Sequence, residues 1–104
     1  MAYKVVVTTD AESDLDRFLA YLIFEKKSVP SAKNVLNDFE MTKAKLSDVA
    51  GDLKLCDNPV LHNLGYRRIN FRTHRYFMLY RIDGNTVTVD NIFHGSQDFE
   101  NKMM

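Results

Sequence analysis

Residues 3–8 (Tyr-Lys-Val-Val-Val-Thr) are β-branched or aromatic apart from one lysine, and the run predicts a strand. The period then changes. Leu15, Phe18, Leu19, Leu22 and Ile23 recur at helical spacing and predict one buried stripe on an amphipathic helix. Thr9-Asp10-Ala11-Glu12 reads as its start, with threonine three residues before glutamate as in a capping box. Asp10, Glu12, Asp14 and Asp16 suit the positive end of the helix dipole, and Lys26 and Lys27 the other end. Ser28-Val29-Pro30 is a break and a restart, because proline fits the first turn of a helix. A second helix is expected from about Pro30 to Val49, with a stripe of Ala32, Val35, Leu36, Phe39, Leu46 and Val49. Gly51 is its expected terminator, and the short Lys26-to-Ser31 connection implies an antiparallel helix pair.

Residues 52–65 lack a clear period; Asn58-Pro59 marks a turn, and the leucines suggest a structured connection lying over the core. From Tyr66 the pattern becomes strand-like. Tyr66 to Phe71, Arg75 to Ile82 and Thr86 to Phe93 are the expected strands. Arg72-Thr73-His74 and Asp83-Gly84-Asn85 supply the turns, the second with ordinary hairpin chemistry. The tail after Gly95 is polar and acidic, with a short helical turn expected. A strand, two helices and a three-stranded antiparallel meander make an α+β domain with the helix pair packed on one sheet face.

The totals narrow the function classes. A chain of 104 residues is expected to form one domain with one modest core. Val5-Val6-Val7 and Leu19 to Phe24 are too short to span a bilayer, and no signal peptide is visible, so no membrane association and a cytoplasmic location are expected. A single cysteine, Cys56, excludes an internal disulfide and offers no metal cluster; it reads as a small buried apolar residue, and neither metal nor cofactor is expected. Net charge is zero, which argues against broad nucleic-acid coating. The charge is segregated, however. Residues 1–60 carry ten acids and eight bases, a net of −2; residues 61–82 carry five arginines and no acid; residues 83–104 carry four acids and one lysine, a net of −3. Arg67, Arg68, Arg72, Arg75 and Arg81 are interleaved with Tyr66, Phe71, Tyr76, Phe77 and Tyr80. A guanidinium grips phosphate with two hydrogen bonds and stacks on bases, so this strip is the leading candidate for an anion-seeking surface.

The order of elements, together with Gly65-Tyr66-Arg67-Arg68-Ile69, His74 to Ile82, Asp83-Gly84-Asn85-Thr86-Val87 and Ile92-Phe93-His94-Gly95-Ser96-Gln97-Asp98, resembles the RelE/ParE toxin family of bacterial type II toxin–antitoxin systems. Val7 to Leu15 resembles the family's first strand and helix start, and the resemblance spans residues 1–104 as a single toxin domain. It implies a RelE/ParE-like fold and a cognate antitoxin, with operator DNA bound only through the antitoxin complex. Two activities are implied by different branches. One branch cleaves mRNA on the ribosome; the other inhibits DNA gyrase without being an enzyme. An inactive relative that only binds its antitoxin is a third reading.

Metal-independent RNA cleavage needs a base, a cation on the scissile phosphate and an acid for the leaving oxygen. By resemblance to the ribonuclease branch, the leading reading, Arg75 is the phosphate-stabilising cation and His94 the acid or base. Arg67, Arg68, Arg72 and Arg81 are the expected RNA and phosphate contacts. The chain also departs from that branch: Gly95 follows His94, Tyr80 is the last tyrosine, and only Lys54 and Asp57 stand where a lysine or glutamate is often found. His94-Gly95-Ser96-Gln97-Asp98 resembles the ParE branch at least as well. Plainer readings stay open beside these. His94 can serve a backbone or antitoxin hydrogen bond, and Arg67, Arg68 and Arg75 can pair with the acidic first helix. Tyr76, Met78, Tyr80 and Ile82 share one face of their strand and Arg75, Phe77, Leu79 and Arg81 the other, and one of these must meet the helices. His74, at a turn, is expected to be solvent-exposed.

Overall fold

A computed structural model describes residues 2–95. Strand β1 (Lys4–Val7) leads into helix α1 (Thr9–Ala20), which continues as a π-helical turn, Tyr21–Glu25. Helix α2 (Val29–Val49) ends in a 3-10 turn, Ala50–Asp52. A short helix α3 (Pro59–Asn63) precedes strands β2 (Arg67–Asn70), β3 (Tyr76–Asp83) and β4 (Thr86–His94). The sheet order is β1-β4-β3-β2, antiparallel through the meander and parallel where β1 joins β4. The expected α+β architecture holds, with α1 and α2 packed on one face. The acidic tail beyond Gly95 lies outside the described residues.

Three local readings are corrected. Thr8, not Thr9, caps α1: its hydroxyl accepts from the Ala11 amide and donates to the Val89 carbonyl. Leu36 is left exposed on α2, and Asp38 and Thr42 take places on the buried stripe. Gly51 follows α2 as expected, but without the left-handed conformation of a glycine terminator. A Cβ there would stand 2.5 Å from the Tyr3 hydroxyl, so a side chain at this position would have to push the Tyr3 ring aside. Gly84, at φ 61°, supplies the β3–β4 hairpin turn.

Both faces of β3 are covered. Met78, Tyr80, Ile69, Val87, Val89 and Ile92 meet Leu15, Val35, Phe39 and Leu46 from the helices. On the opposite face, Phe77, Leu79 and Phe93 form a second, smaller core with Cys56 and Leu61, closed by α3 and its flanks. Phe77 and Leu79 are therefore core residues. Tyr80 is fully buried, its hydroxyl donates to the Ala50 carbonyl at 2.8 Å, and burial pushes its pKa up to about 12. Tyr80→Phe leaves that carbonyl unpaired and is expected to cost about 1 kcal/mol in urea unfolding with the fold unchanged. A loss near zero would mean that water takes over the bond.

Each long helix carries one buried carboxylate that ties it to the sheet. Asp14 on α1 accepts from the Ile92 amide at 3.0 Å and the Asn91 side chain at 3.2 Å, besides pairing with Arg17. Asp38 on α2 holds the β2–β3 turn. A helix stripe with an acid on it binds in one register only, because the acid must find its donors.

Candidate functional site

The β2–β3 turn is built around Asp38, only 4% exposed. Its Oδ1 accepts from the Arg72 amide at 3.1 Å. Its Oδ2 accepts from the amides of Thr73 and His74 at 3.1 and 3.0 Å, and from the Thr73 hydroxyl at 3.0 Å. His74 Nδ1 stands 2.7 Å from the same oxygen. Burial pushes the Asp38 carboxyl up, but the hydrogen bonds from His74, Thr73 and Arg72 outweigh it and hold the pKa below its ordinary value. His74 is thus not simply solvent-exposed; its ring is held against a carboxylate. The signal for Asp38 lay in helical spacing, three residues after Val35 and four before Thr42, both of which are buried.

The five arginines do not form one strip. Cross-strand register sets Arg67 opposite Tyr80, on the helix side, and Arg68 opposite Leu79, on the other. Arg67 donates to the Leu53 carbonyl. Arg81 Nε donates to Asp90 at 2.7 Å, and its guanidinium lies 5.4 Å from the Tyr66 ring centre. Arg68 stacks 3.7 Å over Phe77 and donates to the Asn70 side chain. Arg72 and Arg75 project from the two ends of the Asp38-anchored turn, and among the described residues neither pairs with a carboxylate. The acidic first helix contributes no ion pair to Arg67 or Arg75 among the described residues; its Asp14 pairs with Arg17.

Arg75 and His94 open onto one common space. Both line a cavity of about 380 Å³ with His74, Ser31, Asn34 and Tyr76. His94 pairs in register with Tyr76 and meets its ring edge-on at 5.1 Å, on the helix side of the sheet. Arg75 also lines a second cavity of about 400 Å³ with Arg68, Asn70, His74 and Gly95. Lys54 and Asp57 pair with each other at 3.3 Å on the exposed connection. No group of three or more histidine, cysteine or acidic side chains is placed to hold a metal ion among the described residues. No described helix is long and apolar enough to cross a membrane.

A second candidate surface lies at the tip of the helix pair. The π-helical turn inserts an extra residue at the end of α1, and Lys27 follows at φ 52°, a left-handed conformation that costs a lysine about 1 kcal/mol. The Ser28 amide then reaches back to the Leu22 carbonyl at 2.9 Å and closes the helix. Leu22 and Ile23 stay half-buried, whereas Phe24 is 73% exposed, Tyr21 50% and Val29 49%. Lys26 sits 5.7 Å from the Tyr21 ring centre. Two aromatic rings and a valine within nine residues are thereby turned to solvent beside two lysines.

Residues 5–99 match the family model of the ParE toxin of the type II toxin–antitoxin system parDE. A chain of the chromosomal ParDE toxin–antitoxin system from P. aeruginosa shares the fold, with a TM-score of 0.70 at 18% identity over 89% of this chain and 96% of that one. A chain of the toxin–antitoxin complex RelBE2 from Mycobacterium tuberculosis is similar at a TM-score of 0.57 and 25% identity, over 90% of this chain and 99% of that one. No curated protein matches.

Proposed function

The chain belongs to the RelE/ParE toxins, in the ParE family of type II toxin–antitoxin systems, and on that premise we propose that it arrests growth by binding DNA gyrase without cutting RNA. The whole of residues 1–104 acts as one toxin domain in the cytoplasm, and a cognate antitoxin neutralises it. Operator DNA is reached only through the antitoxin complex.

The observation that carries this reading is the exposed aromatic tip of the helix pair. A large apolar side chain that is 73% exposed has no role in its own core, and aromatic anchors are the commonest centres of protein interfaces. The dispersal of the arginines supports it as well. Arg67 donates to a backbone carbonyl and Arg81 is paired with Asp90, so both are poorly disposed to hold RNA.

A second reading rests on one specific observation, the shared cavity of Arg75 and His94. There Arg75 stabilises a scissile phosphate and His94 acts as acid or base in mRNA cleavage on the ribosome, with Arg68 and Arg72 on the backbone. The two readings separate cleanly. The purified chain is titrated into a gyrase supercoiling assay, and transcripts are mapped by primer extension after induction. The expected result is lost supercoiling with intact transcripts, and unchanged toxicity in His94→Ala. Normal supercoiling with new in-frame mRNA ends that vanish in His94→Ala overturns the proposal in favour of the nuclease.

A further inference from the structure

Neither the acids that follow β4 nor the pair Arg68 and Arg75 takes part in the aromatic tip. Residues 96–104 read Ser-Gln-Asp-Phe-Glu-Asn-Lys-Met-Met, with Asp98 and Glu100 on either side of Phe99. They lie outside the described residues, but the point from which they continue is fixed. Gly95 follows β4 beside Arg75, and its amide donates to the Arg75 carbonyl at 2.5 Å.

Gly95 also lines the cavity of about 400 Å³ that Arg68 and Arg75 border. The chain therefore leaves the sheet at the rim of this cavity. Among the described residues no carboxylate lines it, and Arg75 is exposed and forms no ion pair. Arg81, by contrast, is answered by Asp90. A cationic cavity thus stands next to the start of a segment that carries two acids.

We propose that this cavity is occupied by the protein's own residues 98–100, with Asp98 and Glu100 on the guanidinium groups of Arg68 and Arg75 and Phe99 between them. Asp98 is three residues past Gly95, a reach of up to about 10 Å, and Glu100 is five past it, a reach of up to about 17 Å. A carboxylate accepts two parallel hydrogen bonds from a guanidinium, and a phenyl ring offers a face on which a guanidinium stacks. A short tether raises the effective concentration of such groups to the mM range, so contacts that are individually weak suffice. The docked segment shields Arg75, and any other anion has to displace it first. Nothing in this contact depends on gyrase.

The test is arginine-selective modification of the full chain with phenylglyoxal, followed residue by residue by mass spectrometry. Arg72 is the reference, because it is exposed on the same turn but lines other cavities, against α2. A segment docked about nine-tenths of the time slows reaction at the guanidinium it covers about tenfold. Arg75 is therefore expected to react about tenfold more slowly than Arg72. The triple variant of Asp98→Asn, Phe99→Ala and Glu100→Gln should bring Arg75 to the Arg72 rate and speed Arg68 by a similar factor. Arg67, which donates to the Leu53 carbonyl, should stay slow in both proteins and so report an intact fold. Should the triple variant lose its circular dichroism, Asp98→Asn and Glu100→Gln take its place singly, each with part of the effect. The exchange of Asp98→Glu with Glu100→Asp keeps both charges and should keep the protection. Equal rates at Arg72 and Arg75 in the parent, or protection that survives the neutral variants, overturns the proposal. Protection that grows with protein concentration overturns it as well, because the occupant is then a second copy of the chain.

Discussion

Asp38→Ala is expected to lower unfolding stability by about 3 kcal/mol, which at this chain length shifts the thermal midpoint down by roughly 15 °C. The size follows from what the carboxylate holds. Removing it leaves the amides of Arg72, Thr73 and His74 without their acceptor, together with the Thr73 hydroxyl and the His74 ring. Those groups lie on one turn and fail together, so the loss exceeds that of a single surface hydrogen bond. Asp38→Asn keeps one acceptor oxygen and should lose about half as much. Urea unfolding of the two variants beside Tyr80→Phe checks the ranking; an Asp38→Ala loss below that of Tyr80→Phe contradicts the assigned role.

The same carboxylate gives acid stability a definite sign. Its native pKa lies below the ordinary value of 3.8 because the hydrogen bonds from the turn outweigh the effect of burial. A carboxyl with a depressed native pKa contributes stability that is fully present above its unfolded-state value. That contribution is lost as pH falls through the native value. Between pH 5 and 7 Asp38 therefore adds no slope, and its loss appears only below about pH 4. Asp38→Asn should flatten that acid limb.

Most of the architecture was legible because it rests on periodicity. The helical stripe of Leu15, Phe18, Leu19 and Leu22, the strand alternation from Tyr76 to Ile82 and the hairpin at Gly84 all report local geometry. What periodicity cannot carry is the identity of the partner across the fold. Asp38 occupies a stripe position, but nothing local says that it meets the Arg72–His74 turn more than thirty residues away. Leu36 reads as core because it is apolar, while the true stripe runs through an aspartate and a threonine. The arginine strip misled for a related reason. Charge counted along the chain looks continuous, but strand alternation sends Arg67 and Arg68 to opposite sides, and Asp90 neutralises Arg81 from the neighbouring strand. The sequence does place Arg75 just before β3 and His94 at the end of β4, and in the structure the two line one cavity. The second core beneath α3 is only partly legible: burial of Cys56 and of the leucines in 52–65 is readable, but a stretch without period does not say which face of the sheet they cover.

The other large effect concerns Phe24. Phe24→Ala is expected to weaken gyrase inhibition by at least about 30-fold, the equivalent of the 2 kcal/mol that marks an interface hot spot. The ring is 73% exposed and sits on a turn already closed by backbone hydrogen bonds, so its removal should leave the thermal midpoint unchanged. Leu64→Ala is the matched control, since Leu64 is 60% exposed but lies next to α3, in a different part of the fold. Under the gyrase reading the control keeps full potency in the supercoiling titration and Phe24→Ala loses it, with Tyr21→Ala in between because Tyr21 is only half as exposed as a free side chain. Under the nuclease reading the pattern inverts: Phe24→Ala remains toxic, whereas Arg75→Ala and His94→Ala do not. Equal potency of Phe24→Ala and Leu64→Ala, both folded, would remove the helix tip from the gyrase interface. The distinction is physical as well as genetic, because an aromatic anchor acts through the area it desolvates and is nearly indifferent to salt, while an arginine–phosphate contact weakens steeply with it. Inhibition that survives at high salt and disappears with one phenyl ring identifies a protein interface.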